Sequence, residues 1–288
     1  MRPRNILVGC SLVVITAAAV FALAHHRVAS TAAAPAAPAW TRAADGIDAW
    51  DGTLPGTPAR VVLYRFAAGA FVWRVTADDP AAASAPSKDV AAWAAALPGA
   101  AFVANGSYFA ADGSPSGYLL ANGVRVGARR FDADRSALLV LGARPSIRVL
   151  SAADLVAPPF TDALQSYPLL VDRGRAAVEA DTGHASRRTF FGLDASGRAY
   201  VGLVPDQFVT LRELSVGLAA LSVAWTSVLN LDGGPSSGVW IRTANGSSGF
   251  PSLSPVGNVI YAERLTPNQT PPACRRGGWS RDCGPGGS

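Results

Sequence analysis

Lysine, cysteine and histidine are scarce in this chain. Lys88 is the only lysine among 25 basic residues, and the cysteines are Cys10, Cys274 and Cys283. The three histidines, His25, His26 and His184, fall in or near expected loops. Hence neither a metal-spaced His/Cys cluster nor a clear Ser-His-Asp triad can be drawn. Charge of either sign is also modest. The formal net charge is +5, and it drops to +3 if Arg2 and Arg4 leave with an N-terminal leader, too mild a balance for a nucleic-acid partner. No internal repeat of solenoid length is present.

What the chain does have begins with an export signal. Arg2 and Arg4 precede an uncharged apolar run from Ile6 to Ala24 that ends in Ala22-Leu23-Ala24. A basic segment, an apolar segment and a small-x-small ending fit a secretory signal cut before His25. The run is also about the 20 residues that a membrane helix needs, so retention as an anchor fits as well. Residues 25–39 are rich in Ala and Pro and read as a linker. A folded domain is expected over 40–266, followed by an irregular Pro/Gly/Arg-rich tail over 267–288. Cys274 and Cys283 lie in that tail, where an oxidising compartment would favour a small disulfide loop over two free thiols.

Within the domain, short alternating or β-branched runs bounded by turn residues predict strands. They are Arg60–Phe66, Phe71–Thr76, Ala101–Ala104, Tyr118–Val126, Ala137–Leu141, Ser146–Leu150, Leu169–Val171, Thr189–Asp194, Ala199–Val204, Ser227–Leu231, Val239–Arg242 and Asn258–Glu263. Two segments look helical. Ser87 is placed to cap a helix through Leu97, and Thr210-x-x-Glu213 forms a capping box for a helix to about Leu221. The expected fold is therefore α+β or mixed α/β: a strand-dominated single domain with at least two helices packed on sheet.

Three stretches carry side chains suited to chemistry at strand ends. In Leu229-Asn230-Leu231-Asp232-Gly233-Gly234-Pro235-Ser236-Ser237, Asp232 offers a carboxylate, and consecutive glycines can turn their N–H groups toward an anion. Taken alone, Asp-Gly-Gly is also an ordinary turn. In Ala104-Asn105-Gly106-Ser107-Tyr108-Phe109, Asn105 presents an amide that both donates and accepts. Tyr108 and Phe109 suit either a sugar-site wall or the core. In Arg187-Arg188-Thr189-Phe190, a guanidinium at a strand edge fits a phosphate or carboxylate, unless the pair is merely solvated. Gln165-Ser166-Tyr167-Pro168 adds an amide and hydroxyls before another strand. Oxygen atoms of Asp232 and Asn105 could also take a divalent cation, although no cofactor is expected.

The order of these motifs from Asn105 to Ser236, with about residues 60–265 around them, resembles the phosphodiester glycosidase family. That resemblance implies an enzyme that hydrolyses the bond between a sugar and a phosphodiester. By that likeness Asn105, Arg188, Asp232, Gly233, Gly234 and Ser236 match the family's motifs, and Asp232, Asn105 and Arg188 are the expected catalytic set; Gly233, Gly234 and Ser236, together with Gly106, Tyr108, Asp112 and Gln165, are expected to bind a carbohydrate or sugar-phosphate. Ala110 is a departure, because many relatives carry Asp there, and Asp112 is the nearby substitute. Asp112, Asp172 and Asp206 are the candidates for a second carboxylate, which the usual two-carboxylate scheme requires. Two other functions use the same residues: a non-catalytic glycan-binding module, and a glycosidase for ordinary glycosidic bonds. With the leader, each points to a periplasmic or extracellular protein that meets a membrane only through its N-terminal segment.

Overall fold

β3 (Arg60–Phe66) shows how the layers are built. Successive side chains of a strand point to opposite faces, and Val62, Tyr64 and Phe66 enter one apolar cluster while Val61 and Leu63 enter another. A strand covered on both faces is apolar nearly throughout, and this one lies near the middle of an eight-stranded antiparallel sheet. The computed structural model describes residues 38–78, 85–127, 137–149 and 159–265. The expected leader, nearly all of the linker, and the tail with Cys274 and Cys283 lie outside the described residues.

The large sheet runs in the order β1 (Thr41–Ala44), β2 (Ile47–Thr53), β3, β14 (Ala199–Val209), β13 (Ser186–Asp194), β15 (Trp225–Asn230), β11 (Leu169–Asp172), β12 (Arg175–Ala176). A second sheet is ordered β17 (Gly246–Phe250), β16 (Val239–Thr243), β5 (Ala100–Asn105), β18 (Asn258–Arg264), β4 (Phe71–Ala77). The smallest is β7 (Val124–Arg125), β6 (Leu119–Ala121), β10 (Ala163–Ser166), β8 (Ala137–Val140), β9 (Ser146–Arg148).

Phe66, Phe71, Trp73, Phe102 and Phe191 fill the main core between the first two sheets. Edge-to-face ring pairs, such as Trp73 with Phe191 at 5.0 Å, hold it together. α1 (Val90–Ala96) covers the outer face of the second sheet through Val90 and Trp93. α2 (Leu211–Ala220) covers the outer face of the large sheet through Leu214 and Leu218. All pairings among the described residues are antiparallel, which gives an α+β arrangement, strand-dominated with two helices on sheet.

Several expectations change in detail. The single strand expected over Tyr118–Val126 is a hairpin, because Asn122 and Gly123 both take positive φ, the conformation that Asn-Gly favours in a two-residue turn. α1 starts later than expected. Its cap is Asp89, whose side chain accepts from Ala92 N at 2.7 Å, while Ser87 precedes it outside the helix. β1, β2, β10, β12 and β17 were not anticipated.

Candidate active site

The two larger sheets are tied together at one end of the sandwich. There β5 ends at Asn105 in one sheet, and β15 ends at Asn230 in the other, two residues before Asp232. Asn105 is 1% exposed. It donates from Nδ2 to the Asp232 carbonyl at 2.8 Å and accepts the Gly238 N–H on Oδ1 at 3.1 Å. Asp232 N–H in turn donates to the Gly106 carbonyl at 3.0 Å. The main chain of Asp232 is thus held on both sides by the Asn105-Gly106 corner. Gly106 is required there, since a Cβ would sit 2.0 Å from Asn258 Oδ1. Asn258 itself clamps Ser107 at both its N–H and its carbonyl.

This fixing presents the Asp232 side chain in an unusual setting. Burial pushes its carboxyl up to about 6, against the opposing hydrogen bonds from the Ser236 hydroxyl and the Gly233 N–H. None of the ion pairs among the described residues involves it. The Gly233 N–H lies 2.9 Å from Asp232 Oδ1. That amide therefore serves the carboxylate, and the outward-facing pair of Gly233 and Gly234 amides expected for an anion is not formed. Gly234 has φ +61° and opens a short 3-10 turn through Ser236. Gly234-Pro235-Ser236-Ser237-Gly238 also spells Gly-x-Ser-x-Gly. It is not the strand-to-helix corner of a serine hydrolase, and its Ser236 hydroxyl is committed to Asp232.

Arg188 enters from β13, beside the glycines. Its Nε donates to the Val209 carbonyl at 3.0 Å and its Nη2 to the His184 carbonyl at 2.6 Å. Its Nη1 faces Gly233, lying 3.7 Å from where a Cβ would stand. Burial lowers the proton affinity of this guanidinium, a direction that leaves it charged at neutral pH because arginine starts so high. Tyr108 accepts from Asn230 Nδ2 on its hydroxyl at 2.7 Å. Burial, together with the Asp232 charge, holds the phenol well above its ordinary range, and Arg188 acts in the opposite direction. Tyr108, Arg188, Gly233, Ser236 and Asp232 are thus brought together, with Asn105 and Gly106 behind them.

Other expected residues go elsewhere. Asp112, the candidate to replace the carboxylate missing at Ala110, is exposed and accepts from the Ser114 N–H and hydroxyl within its own turn. Asp172 pairs with Arg173 and lies opposite Ser227, five residues back from Asp232 along β15. Asp206 pairs with Arg60 at 2.8 Å. Gln165 closes the small sheet by accepting the Tyr118 N–H. Phe109 packs toward α1, away from Tyr108. Asn105 Oδ1, considered with Asp232 as a cation ligand, accepts the Gly238 N–H. Among the described residues, no three His, Cys, Asp or Glu side chains group as a metal site.

Two site residues escaped sequence reasoning. Asn230 joins the Tyr108 hydroxyl to the Tyr167 carbonyl; a lone Asn inside an apolar strand was its only signal. Arg187 is 7% exposed, and its Nε and Nη1 have no hydrogen-bond partner among the described residues.

A family model described as phosphodiester glycosidase matches residues 98–263, a span that contains every residue of this site. The chain belongs to the phosphodiester glycosidase family. Among solved structures, this family member is similar to the catalytic domain of zebrafish N-acetylglucosamine-1-phosphodiester alpha-N-acetylglucosaminidase, auto-inhibited by its pro-peptide. The TM-score is 0.61 at 14% identity, over 80% of this chain and 87% of that one. It is also similar to a hypothetical protein from Synechocystis, with a TM-score of 0.55 at 13% identity, over 80% of this chain and 64% of the other. At such identities the likeness is one of fold. A search of curated protein sequences finds no match.

Proposed function

We propose that this phosphodiester glycosidase is an exported hydrolase that splits the bond between a sugar and a phosphodiester in an envelope or exopolysaccharide glycan. The carrying observation is the half-buried Asp232 carboxyl, in no ion pair among the described residues and pushed up to about 6, near an arginine anchored by two carbonyls. In this reading the anomeric carbon becomes cationic as its bond to the phosphate oxygen breaks. Asp232 in its ionised form stabilises that carbon or takes the proton of the attacking water. Arg188 meets the departing phosphate through Nη1. Water supplies the new hydroxyl of the sugar, and the phosphate leaves as a monoester.

Asn105 and Gly106 act as positioning residues in this scheme, since both are spent on main-chain bonds, and Ser236 orients the carboxylate. The same arrangement favours a phosphodiester over an ordinary glycoside. Among the described residues, Asp112 accepts from Ser114, and Asp172 and Asp206 are ion-paired with Arg173 and Arg60, so this scheme assigns none of them as an acid beside Asp232. A phosphate leaving group has little need of one. Export rests on the basic and apolar N-terminal segment. The test is mass spectrometry of the purified protein incubated with a library of sugar-1-phosphodiesters and nitrophenyl glycosides. Release of free sugar from the diesters alone supports the reading. Binding without product points to a glycan-binding module, and release from the glycosides alone points to an ordinary glycosidase.

A further inference from the structure

The Tyr108 hydroxyl is held by its oxygen and not by its hydrogen. The oxygen accepts from Asn230 Nδ2 at 2.7 Å. An amide nitrogen donates and does not accept, so the Tyr108 hydrogen is not directed at Asn230 Nδ2. The orientation of that amide is fixed independently. Nδ2 also donates to the Tyr167 carbonyl at 3.0 Å and to the Leu231 carbonyl at 2.7 Å, and turning the amide over would set Oδ1 against both. Asn230 is fully buried at the end of the strand that leads to Asp232, so it fixes the phenol relative to the carboxylate. Among the described residues the Tyr108 hydroxyl takes part in no other hydrogen bond.

Burial chiefly holds the proton on this phenol; of the charges around it, Asp232 adds to that effect and Arg188 opposes it. In the proposed hydrolysis Asp232 serves the anomeric carbon and Arg188 the phosphate. The oxygen that joins carbon to phosphorus lies between those two groups. We infer that Tyr108 donates its O–H to that bridging oxygen, as a hydrogen bond and not as a proton transfer, with Asn230 as its positioning residue. For the identity of the oxygen this rests on the proposed hydrolase reading. As the carbon–oxygen bond breaks, the oxygen keeps the bonding pair and leaves on the phosphate with its negative charge. A fixed neutral donor strengthens its bond as that charge grows, so it lowers the barrier more than it tightens substrate binding. A phenol that stays protonated suits this role, because the hydrogen is never given up. The Ser236 hydroxyl is committed to Asp232 and does not compete for it.

The test is Tyr108→Phe, which removes one oxygen and leaves Asn230 Nδ2 its two carbonyls, so the variant folds as the parent does; thermal unfolding checks this. Turnover is measured on the sugar that the library identifies, as its anomeric diesters with methyl, phenyl and nitrophenyl phosphate. On the methyl diester Tyr108→Phe lowers kcat by about a hundredfold, the cost of one lost transition-state donor, and keeps KM within about twofold. The loss narrows by roughly threefold toward the nitrophenyl diester, whose less basic phosphate needs less assistance. A second assay needs no turnover. Inorganic phosphate carries on its oxygens the charge that the bridging oxygen acquires, and the Phe variant binds it roughly tenfold more weakly in calorimetry. Parental kcat in the Phe variant, or a loss equal across the diesters, overturns the inference. If the parent hydrolyses none of them, a tenfold loss of phosphate affinity keeps Tyr108 as a donor to phosphate and removes the hydrolytic reading, whereas unchanged affinity removes both.

Discussion

Asn105 Nδ2 donates to the Asp232 carbonyl at 2.8 Å across the junction of two sheets, so the residue proposed to carry the chemistry is placed by the main chain of its own strand end. The amide of Asn105 completes the link by accepting the Gly238 N–H. Replacing Asn105 by Ala strands a buried donor and acceptor. At about 1–3 kcal/mol for each, the midpoint of urea unfolding should fall clearly and turnover should fall with it. Asn105→Asp is the sharper probe, because it can still accept from Gly238 but cannot donate to Asp232. An Asp variant with parental stability and turnover would contradict the positioning role.

The second prediction follows from the setting of Asp232. Its folded value of about 6 lies above the 3.8 of an unperturbed Asp, so between those two pH values the folded protein holds more proton than the unfolded chain. Stability contributed by this group therefore falls as pH rises from 4 to 6, and above 6 a constant penalty remains. Asp232→Asn should unfold later than the parent at pH 7, by on the order of 2 kcal/mol, and the gap should close by pH 4. Catalysis runs the opposite way: kcat/KM should rise through about pH 6 and level off, and the Asn variant should lose most of its turnover. A parent more stable than the Asn variant at pH 7 would mean that the carboxylate has a favourable partner after all.

How much of this was legible in the sequence depends on where the information sits. Thr210-x-x-Glu213 predicts a capping box, and both of its bonds form, because capping is decided within four residues. β3 is bounded as its apolar, β-branched run predicts. β17, by contrast, is Gly-Ser-Ser-Gly-Phe at a sheet edge, where no buried face writes a pattern into the side chains. The same division holds at the site. Asn105, Arg188 and Asp232 stand at strand termini marked by glycine or a change of polarity, and are visible for that reason. Asp112, Asp172 and Asp206 could not be ranked, because Ser114, Arg173 and Arg60 claim them through turns and tertiary neighbours. The commitment of the Gly233 amide to Asp232, and of Asn105 to backbone, is geometry that spacing does not encode.

The two adjacent arginines should behave in opposite ways. Arg188 satisfies the carbonyls of Val209 and His184, and Arg188→Met leaves both without their donor. Arg188→Lys should fail nearly as badly, because one ammonium lacks the planar fork that reaches both acceptors. Turnover should drop at least about a hundredfold in either variant. Arg187 donates to the Pro251 carbonyl at 3.2 Å but buries Nε and Nη1 without acceptors among the described residues. Burial lowers its proton affinity, with Asp206 opposing. Exchanging such a charge for an apolar side chain of similar length is often neutral or stabilising, so Arg187→Met should match or exceed the parent melting temperature and keep its turnover. The reverse pattern, activity lost with Arg187 and kept without Arg188, would move the phosphate contact to Arg187.

The glycine pair separates activity from stability. Gly233 has an extended φ that any residue adopts, yet a Cβ there would sit 2.9 Å from the Arg187 carbonyl. The backbone must shift at the residue whose N–H holds the Asp232 carboxylate, and misplacement of about 1 Å can cost roughly a hundredfold in rate. Gly234 is held at φ +61°, with room for a Cβ 3.3 Å from Ser186 Oγ. The penalty of Gly234→Ala is then mainly conformational, about 1 kcal/mol, and Asn, which tolerates the left-handed region, should recover part of it. Melting temperatures and kcat/KM measured on Gly233→Ala, Gly234→Ala and Gly234→Asn should therefore rank differently. Gly233→Ala should be worst in rate, Gly234→Ala should lose stability with the smaller loss of rate, and Gly234→Asn should lie nearer the parent. If Gly233→Ala kept full rate, the close approach of the turn to the two arginines would have no part in catalysis.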